Sequence, residues 1–306
     1  MEVINKGPGI DQIKIKDIKS TPSYWNSKNL INQSLYKGTV PDGLKIAVIK
    51  PIPKGKLIND YSNFRPISIL SSIHKILEKY VVKYLTGYAK KFNLISETNL
   101  GKRNLVEKFF NYIYKHLYRD NHIIAVFIDL KKAFDIINHK ILLNKLYKIG
   151  VRGNYHEWFK SYLHNRKLFS GERNVPCGVP QGSVLGPILF ILYLFMCNDD
   201  AVLMATHKDF DTAISLIKED LSSICKWCHD NDMSINENKT KVMHITNRIV
   251  KQRNVKIKIH NHNCLHLHNE EELKLDMCLC EHIEQVSNHR YLGVILDENY
   301  KFDAHI

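Results

Sequence analysis

Ile123-Ile-Ala-Val-Phe-Ile-Asp129 places six consecutive apolar residues directly before one carboxylate. A run with no polar alternation suits a strand covered on both faces, and its shortness sets it apart from a helix. Asp129 then stands at the strand's end. Working outward, Phe134, Ile137, Ile141, Leu142, Leu146 and Ile149 recur at helical spacing, so a helix is expected from about Lys132 to Ile149, with Gly150 placed to stop it. An acid between strand and helix is either an N-cap or a ligand, and local sequence leaves both open.

A second acidic place, Asp199-Asp200, follows the apolar stretch from Ile188 to Cys197. Between the two lies Gly178-Val-Pro-Gln-Gly-Ser-Val-Leu-Gly-Pro187, whose three glycines and two prolines allow close approach of backbone to a flat ligand, with the Gln181 amide available to bond it. A plain turn is the alternative. Phosphoryl transfer asks little of a protein beyond positioning and carboxylates that hold divalent cations. Two strands ending side by side in Asp129 and Asp199 would meet that need, with Asp200 as a secondary ligand.

Toward the N-terminus, Lys45–Lys50 reads as a short strand broken by Pro51 and Pro53, followed by the basic turn Lys54-Gly55-Lys56. Asn63–Ile67 is a second extended piece. Ile69–Phe92 has an amphipathic helical pattern with Lys75, Lys79 and Lys83 on its wet side. Helices are also expected near Ser27–Tyr36, Leu105–Arg119, Glu157–Leu163 and Ala213–Asn231, and strands at Lys241–Ile245 and Tyr291–Leu296. Irregular alternation of this kind indicates an α+β sheet backed by helices. The expected organisation is a lead-in at 1–39, a main body at 40–250 and a His/Cys-rich insertion with a last strand at 251–306.

The 306 residues include 44 Lys+Arg against 31 Asp+Glu, a net charge of +13, which favours a polyanionic partner, nucleic acid before membrane. No apolar run is long enough for a membrane span, and a soluble intracellular protein, nuclear or cytoplasmic, is the default expectation. Seven cysteines argue against a disulfide framework. Cys225 and Cys228 read as one buried helix face. His260, His262, Cys264, His266 and His268 alternate at period two, as do Cys278, Cys280 and His282, so each set can line one face of a strand and bind zinc. The charged loop Glu270–Glu272 and the unusual ligand spacing favour a solvated insertion instead.

Several segments together resemble the reverse transcriptases of non-LTR retrotransposons, particularly the jockey-like group. They are NKGPGID (5–11), PIPKGK (51–56), NFRPISILSSIHKILEK (63–79), FIDLKKAFDIINHKILLNKL (127–146), GVPQGSVLGPILFILY (178–193), the acidic doublet, NENKTKVMHIT (236–246) and YLGVILD (291–297). The resemblance implies the fingers and palm of a right-hand polymerase with an antiparallel palm sheet. It implies an RNA template, a DNA primer, dNTP and two Mg²⁺ ions, with Mn²⁺ as a substitute. Asp129, Asp199 and Asp200 would be the catalytic carboxylates that bind metal. Lys54 and Arg65 would hold triphosphate oxygens, Leu130 would offer its backbone to the phosphates, and Phe134 would exclude a ribose 2′-OH. Gln181 and Gly182 would face the incoming nucleotide, Lys239 the pyrophosphate, and Tyr291, Leu292 and Gly293 the primer.

Three departures stand out. The family's usual Tyr-Ala-Asp-Asp is here Cys197-Asn198-Asp199-Asp200, and Asp199 comes only nine residues after Phe190. The stretch from Arg166 to Gly178 is also short. Contractions of this kind point to internal deletions in a decaying copy or to an imperfect gene model, with a fold that persists and activity that is reduced or absent. The expected function is an RNA-directed DNA polymerase, and the alternative is an impaired remnant that only binds nucleic acid. The chain ends without a thumb, endonuclease or RNase H pattern.

Overall fold

In the computed structural model the described residues are 9–14, 18, 23–54, 63–92, 94, 102–169, 177–194, 202–247, 253–260, 264 and 280–299, with backbone alone described at 23–28 and 102–105. They form two compact units, one of residues 1–95 and 132–196, the other of 96–131 and 197–306.

The second unit is built on the opening stretch. β3 (His122–Phe127) is buried at all six positions. It lies between β5 (Val202–His207) and β6 (Lys241–Ile245), antiparallel to both, and β7 (Glu284–Gln285) adds to β6 in parallel. One face of β3 presents Ile123, Ala125 and Phe127, which cluster with Phe109, Ile113 and Leu117 of α3 (Lys102–Leu117) and with Met243, Ile245 and Leu296. On the opposite face, His122 meets Phe210, the first residue of α7 (Phe210–Asp230), and α7 buries Ala213, Ile217, Leu221, Cys225 and Cys228 at helical spacing. Helices on both faces explain why an antiparallel strand reads as a continuous apolar run.

The first unit has a sheet in the order β2 (Phe64–Ile69), β1 (Ile46–Pro53), β4 (Lys167–Leu168). Around it are α1 (Ser23–Lys37), α2 (Ser72–Lys91), α4 (His139–Lys148), α5 (Gly153–Leu163) and α6 (Gly186–Leu194). α5 contributes Trp158, whose indole N–H donates to the Ser34 hydroxyl at 3.0 Å, and Tyr162, fully buried. Among the described residues no helix is long and apolar enough to cross a membrane.

Five local expectations need correction. β1 runs through Pro51 and Pro53 because the amides facing β2 belong to alternate residues, Lys54 donating to Asn63 at 2.7 Å, so the prolines fall where no ladder donor is required. Lys75 is buried, on a helix that covers more than one face. The helix after Asp129 begins at His139, since Asn138 caps it through bonds from Lys140 and Ile141, and residues 131–135 form turns. Tyr291–Leu296 is a hairpin, β8 (Asn288–Tyr291) and β9 (Val294–Asp297), turning at Leu292 and Gly293, both at positive φ. The apolar stretch from Ile188 is helix to Leu194 instead of a strand.

Candidate functional site

In the second unit, Asp129 lies two residues beyond β3 and is held by the turn that leads into β6. Its backbone N–H donates to the Thr240 hydroxyl at 3.2 Å, its carbonyl accepts from Asn236 N–H at 2.6 Å, and its carboxylate Oδ2 accepts from the Asn236 side-chain amide at 3.0 Å. Thr240 is fully buried, so this anchor is rigid. Neither Asn236 nor Thr240 carries a role in the sequence reading, although both lie in its NENKT motif. The signal was a short polar cluster immediately before a strand.

Leu130 bridges Ile235, with Lys131 N–H donating to Ser234 O at 2.8 Å. Because the neighbours make both bonds of this bridge, Leu130's own N–H and C=O turn away from Ile235. Lys239 is exposed on the same turn, its N–H bonded to Asn236 O at 3.1 Å. Tyr291 packs on Phe109 and Phe127 at ring distances of 4.8 and 5.8 Å, which fixes the base of the β8–β9 hairpin on the sheet's core. Asp199 and Asp200 lie outside the described residues.

In the first unit the 178–187 loop is pinned at several points. Gly178 N–H donates to Ile137 O and Val179 N–H to Phe134 O, both at 2.8 Å, while the His139 ring bonds Gly178 O at 2.7 Å. Gln181 O accepts from Ser68 N–H of β2 at 2.7 Å. Gly182, at φ +103°, passes so close to β2 that an added Cβ would lie 2.9 Å from the Ile67 side chain. Phe134 is half-buried in the 131–135 turns, its ring 4.9 Å from that of Phe190. Lys54 and Arg65 are exposed at the far end of the β1–β2 hairpin, where Arg65 pairs with Ile52. Partial burial raises the Asp135 carboxyl, against the opposing charges of Lys132 and Lys54.

Glu78 is the residue of this unit that the sequence reading missed. It is fully buried on α2, and its two oxygens accept from the Tyr162 hydroxyl at 2.6 Å and from the Val184 N–H at 2.8 Å. Burial opposes its charge, but the His74 ring, the Tyr162 hydroxyl and the Val184 amide together hold its carboxyl below the usual range. An amphipathic pattern assigns such an acid to the wet face, and only the loop that it bonds explains its burial.

The structure thus groups Lys54, Arg65, Phe134, Gln181 and Gly182 in one unit and Asp129, Leu130, Lys239 and Tyr291–Gly293 in the other.

Residues 52–198 match the family described as reverse transcriptase (RNA-dependent DNA polymerase). The chain is 27% identical over 338 residues to a probable RNA-directed DNA polymerase from transposon BS of Drosophila melanogaster, covering 99% of this chain and 35% of that protein. It is 25% identical to the RNA-directed DNA polymerase from mobile element jockey of the same organism, again over 99% of this chain and 34% of the relative. A probable RNA-directed DNA polymerase from transposon X-element, also of Drosophila melanogaster, is 31% identical across 62% of this chain and 22% of its own length. The chain spans about a third of the length of the first two relatives. The alignments run over 338 and 339 positions against the 306 residues of this chain, so each relative has residues within the matched span that this chain lacks.

Proposed function

We propose that this chain, whose residues 52–198 match the reverse transcriptase family and whose relatives are RNA-directed DNA polymerases of transposons, carries the fingers and palm that extend a DNA primer along an RNA template. The observation that carries this reading is the seat of Asp129: a carboxylate just past a fully buried central strand, fixed through Asn236 and Thr240. The β3–β5 register adds support. Phe127 pairs with Val202, so Asp129 follows the last paired residue of β3 by two positions, while Asp199 and Asp200 precede the first of β5 by three and two.

The residues present fit divalent cations. Carboxylate oxygens are the hard donors that Mg²⁺ and Mn²⁺ take, and one Asp129 oxygen is already oriented by an amide. Asp129, Asp199 and Asp200 would hold the two ions, which when bound neutralise charge on the reacting phosphates. Lys54, as a point charge, and Arg65, as a fork, would hold triphosphate oxygens of a dNTP, and the Leu130 backbone would face them. Gln181 and Gly182 form the wall against the nucleotide, Phe134 excludes a ribose 2′-OH by its bulk, Lys239 serves the departing pyrophosphate, and Tyr291, Leu292 and Gly293 hold the primer.

A second reading, a remnant that binds nucleic acid without extending a primer, is favoured by the seven residues 195–201 that alone connect α6 to β5, and by the gaps of this chain against its relatives within the matched span. Primer extension on an RNA template with Mg²⁺ and dNTPs separates the two. Under the polymerase reading the wild-type chain extends and Asp129→Asn does not, while both bind the primer–template. Binding without extension by the wild type supports the remnant.

A further inference from the structure

The His/Cys-rich stretch after β6 carries none of the residues assigned above to nucleotidyl transfer, yet the second unit draws three of its residues to one place. His260, Cys264 and Cys280 each offer a ligand atom, and these atoms all lie within 4.8 Å of one another. The Cys264 thiol is 3.5 Å from His260 Nδ1. In a tetrahedral zinc site, bond lengths of about 2.0–2.3 Å set neighbouring ligand atoms roughly 3.5–3.8 Å apart, so the His260–Cys264 edge already has the right length. The rest needs only a small inward movement. His260 and Cys264 are buried and Cys280 is half-buried, against the expectation of a solvated insertion.

A fourth donor comes from another element. Cys225, buried on α7, lies outside the group of atoms within 4.8 Å of one another, but its thiol accepts a hydrogen bond from the His260 backbone N–H and so borders the cluster. We propose that His260, Cys264, Cys280 and Cys225 bind one zinc ion, a structural site that clips the segment around His260 and Cys280 onto α7. The donor chemistry agrees: three sulfurs and one imidazole suit zinc and leave no open position for a reacting ligand. Three thiolates and a neutral imidazole around Zn²⁺ carry a net charge of −1, which a chain of net charge +13 accommodates. The spacing hid the site because the fourth ligand comes from α7, upstream of the His/Cys stretch.

Binding displaces thiol protons, so affinity must fall as pH is lowered.

The test is metal analysis of the full chain purified under reducing conditions, followed by titration of the metal-free protein with Co²⁺ and with Zn²⁺. The expected result is ~1 zinc per chain, thiolate-to-cobalt charge-transfer absorption, and its loss on adding Zn²⁺. Cys264→Ser and Cys280→Ser should each weaken Zn²⁺ binding at least ~100-fold, and Cys225→Ser should lower the charge-transfer intensity by about a third, one thiolate of three. Cys177→Ser, at an exposed thiol, should change nothing. A wild-type chain without zinc and without a Co²⁺ spectrum overturns the proposal, as does a Cys264–Cys280 disulfide in place of metal. Both are read on the wild type, so the outcome stands even if a variant folds poorly.

Discussion

Glu78 shows at the residue scale how a buried charge is kept. With three partners its carboxylate ties α2 to Tyr162 of α5 and to the amide of Val184. Glu78→Ala would leave a fully buried tyrosine hydroxyl and a backbone N–H without this acceptor, and the expected cost is about 2–4 kcal/mol, read as a lowered denaturation midpoint. Glu78→Gln keeps an acceptor for one of them and should cost less. Equal stability of the alanine variant and the wild type would show that the triad does not hold the loop. The place of Asp129 just past a buried strand was legible in sequence because an acid after an apolar run is conspicuous. Asn236, Thr240 and Glu78 were not, since what they do depends on partners about a hundred positions away along the chain, which no local pattern encodes.

Element by element, the sequence reads best where burial is periodic. β3, β6 and α7 lie within a few residues of their expected bounds, because a doubly covered strand and a single apolar helix stripe leave direct traces. The first turn after Asp129 was misread as helix because Phe134 and Ile137 have helical spacing, yet both accept backbone bonds from the 178–187 loop through their carbonyls. Tertiary bonding overrode periodicity there. The glycines of that loop give a graded prediction. Gly178, at φ +83°, would place a Cβ 2.6 Å from the Asp135 carbonyl oxygen, whereas Gly293, at φ +100°, would meet nothing within 4 Å. Gly293→Ala should therefore show backbone strain alone, roughly 1 kcal/mol, and Gly178→Ala clearly more. Thermal unfolding of the two variants side by side checks the order, and Gly178→Ala proving the milder change would contradict the close approach.

The sheet of the second unit also carries a pH signature. His244 of β6 bonds His122 of β3 at 2.9 Å, and burial first, then the charges of His122 and Arg253, bring its pKa from 6.5 to about 4. A histidine held neutral in the fold is protonated more readily when unfolded. Its contribution is fully present above about 6.5 and is lost as pH falls toward about 4. His74, His116, His139 and His289 are shifted the same way, burial being the leading cause for each. The unfolding temperature should thus decline across that window, and His244→Gln should flatten part of the slope. An unchanged slope in the variant would place the titration elsewhere.

For the whole molecule, charge and family agree. A chain of net charge +13 that binds a primer–template should lose affinity steeply with salt, by at least about tenfold between roughly 50 and 200 mM, as phosphate contacts release counterions. Salt-insensitive binding would argue against a phosphate-tracking groove. That response belongs to a polymerase and to a binding remnant alike. The α+β class and the family were legible from motifs spread along the chain. The interleaving of two units was not, because each is assembled from segments far apart in sequence. The central claim is that Asp129 holds a catalytic metal, and the most direct measurement is incorporation of a single complementary dNTP onto a DNA primer annealed to RNA, with Mg²⁺ and enzyme in excess. Incorporation by the wild-type chain is expected, with a fall of at least ~100-fold in Asp129→Asn at unchanged unfolding temperature and primer–template affinity. Equal incorporation by the two proteins would contradict it.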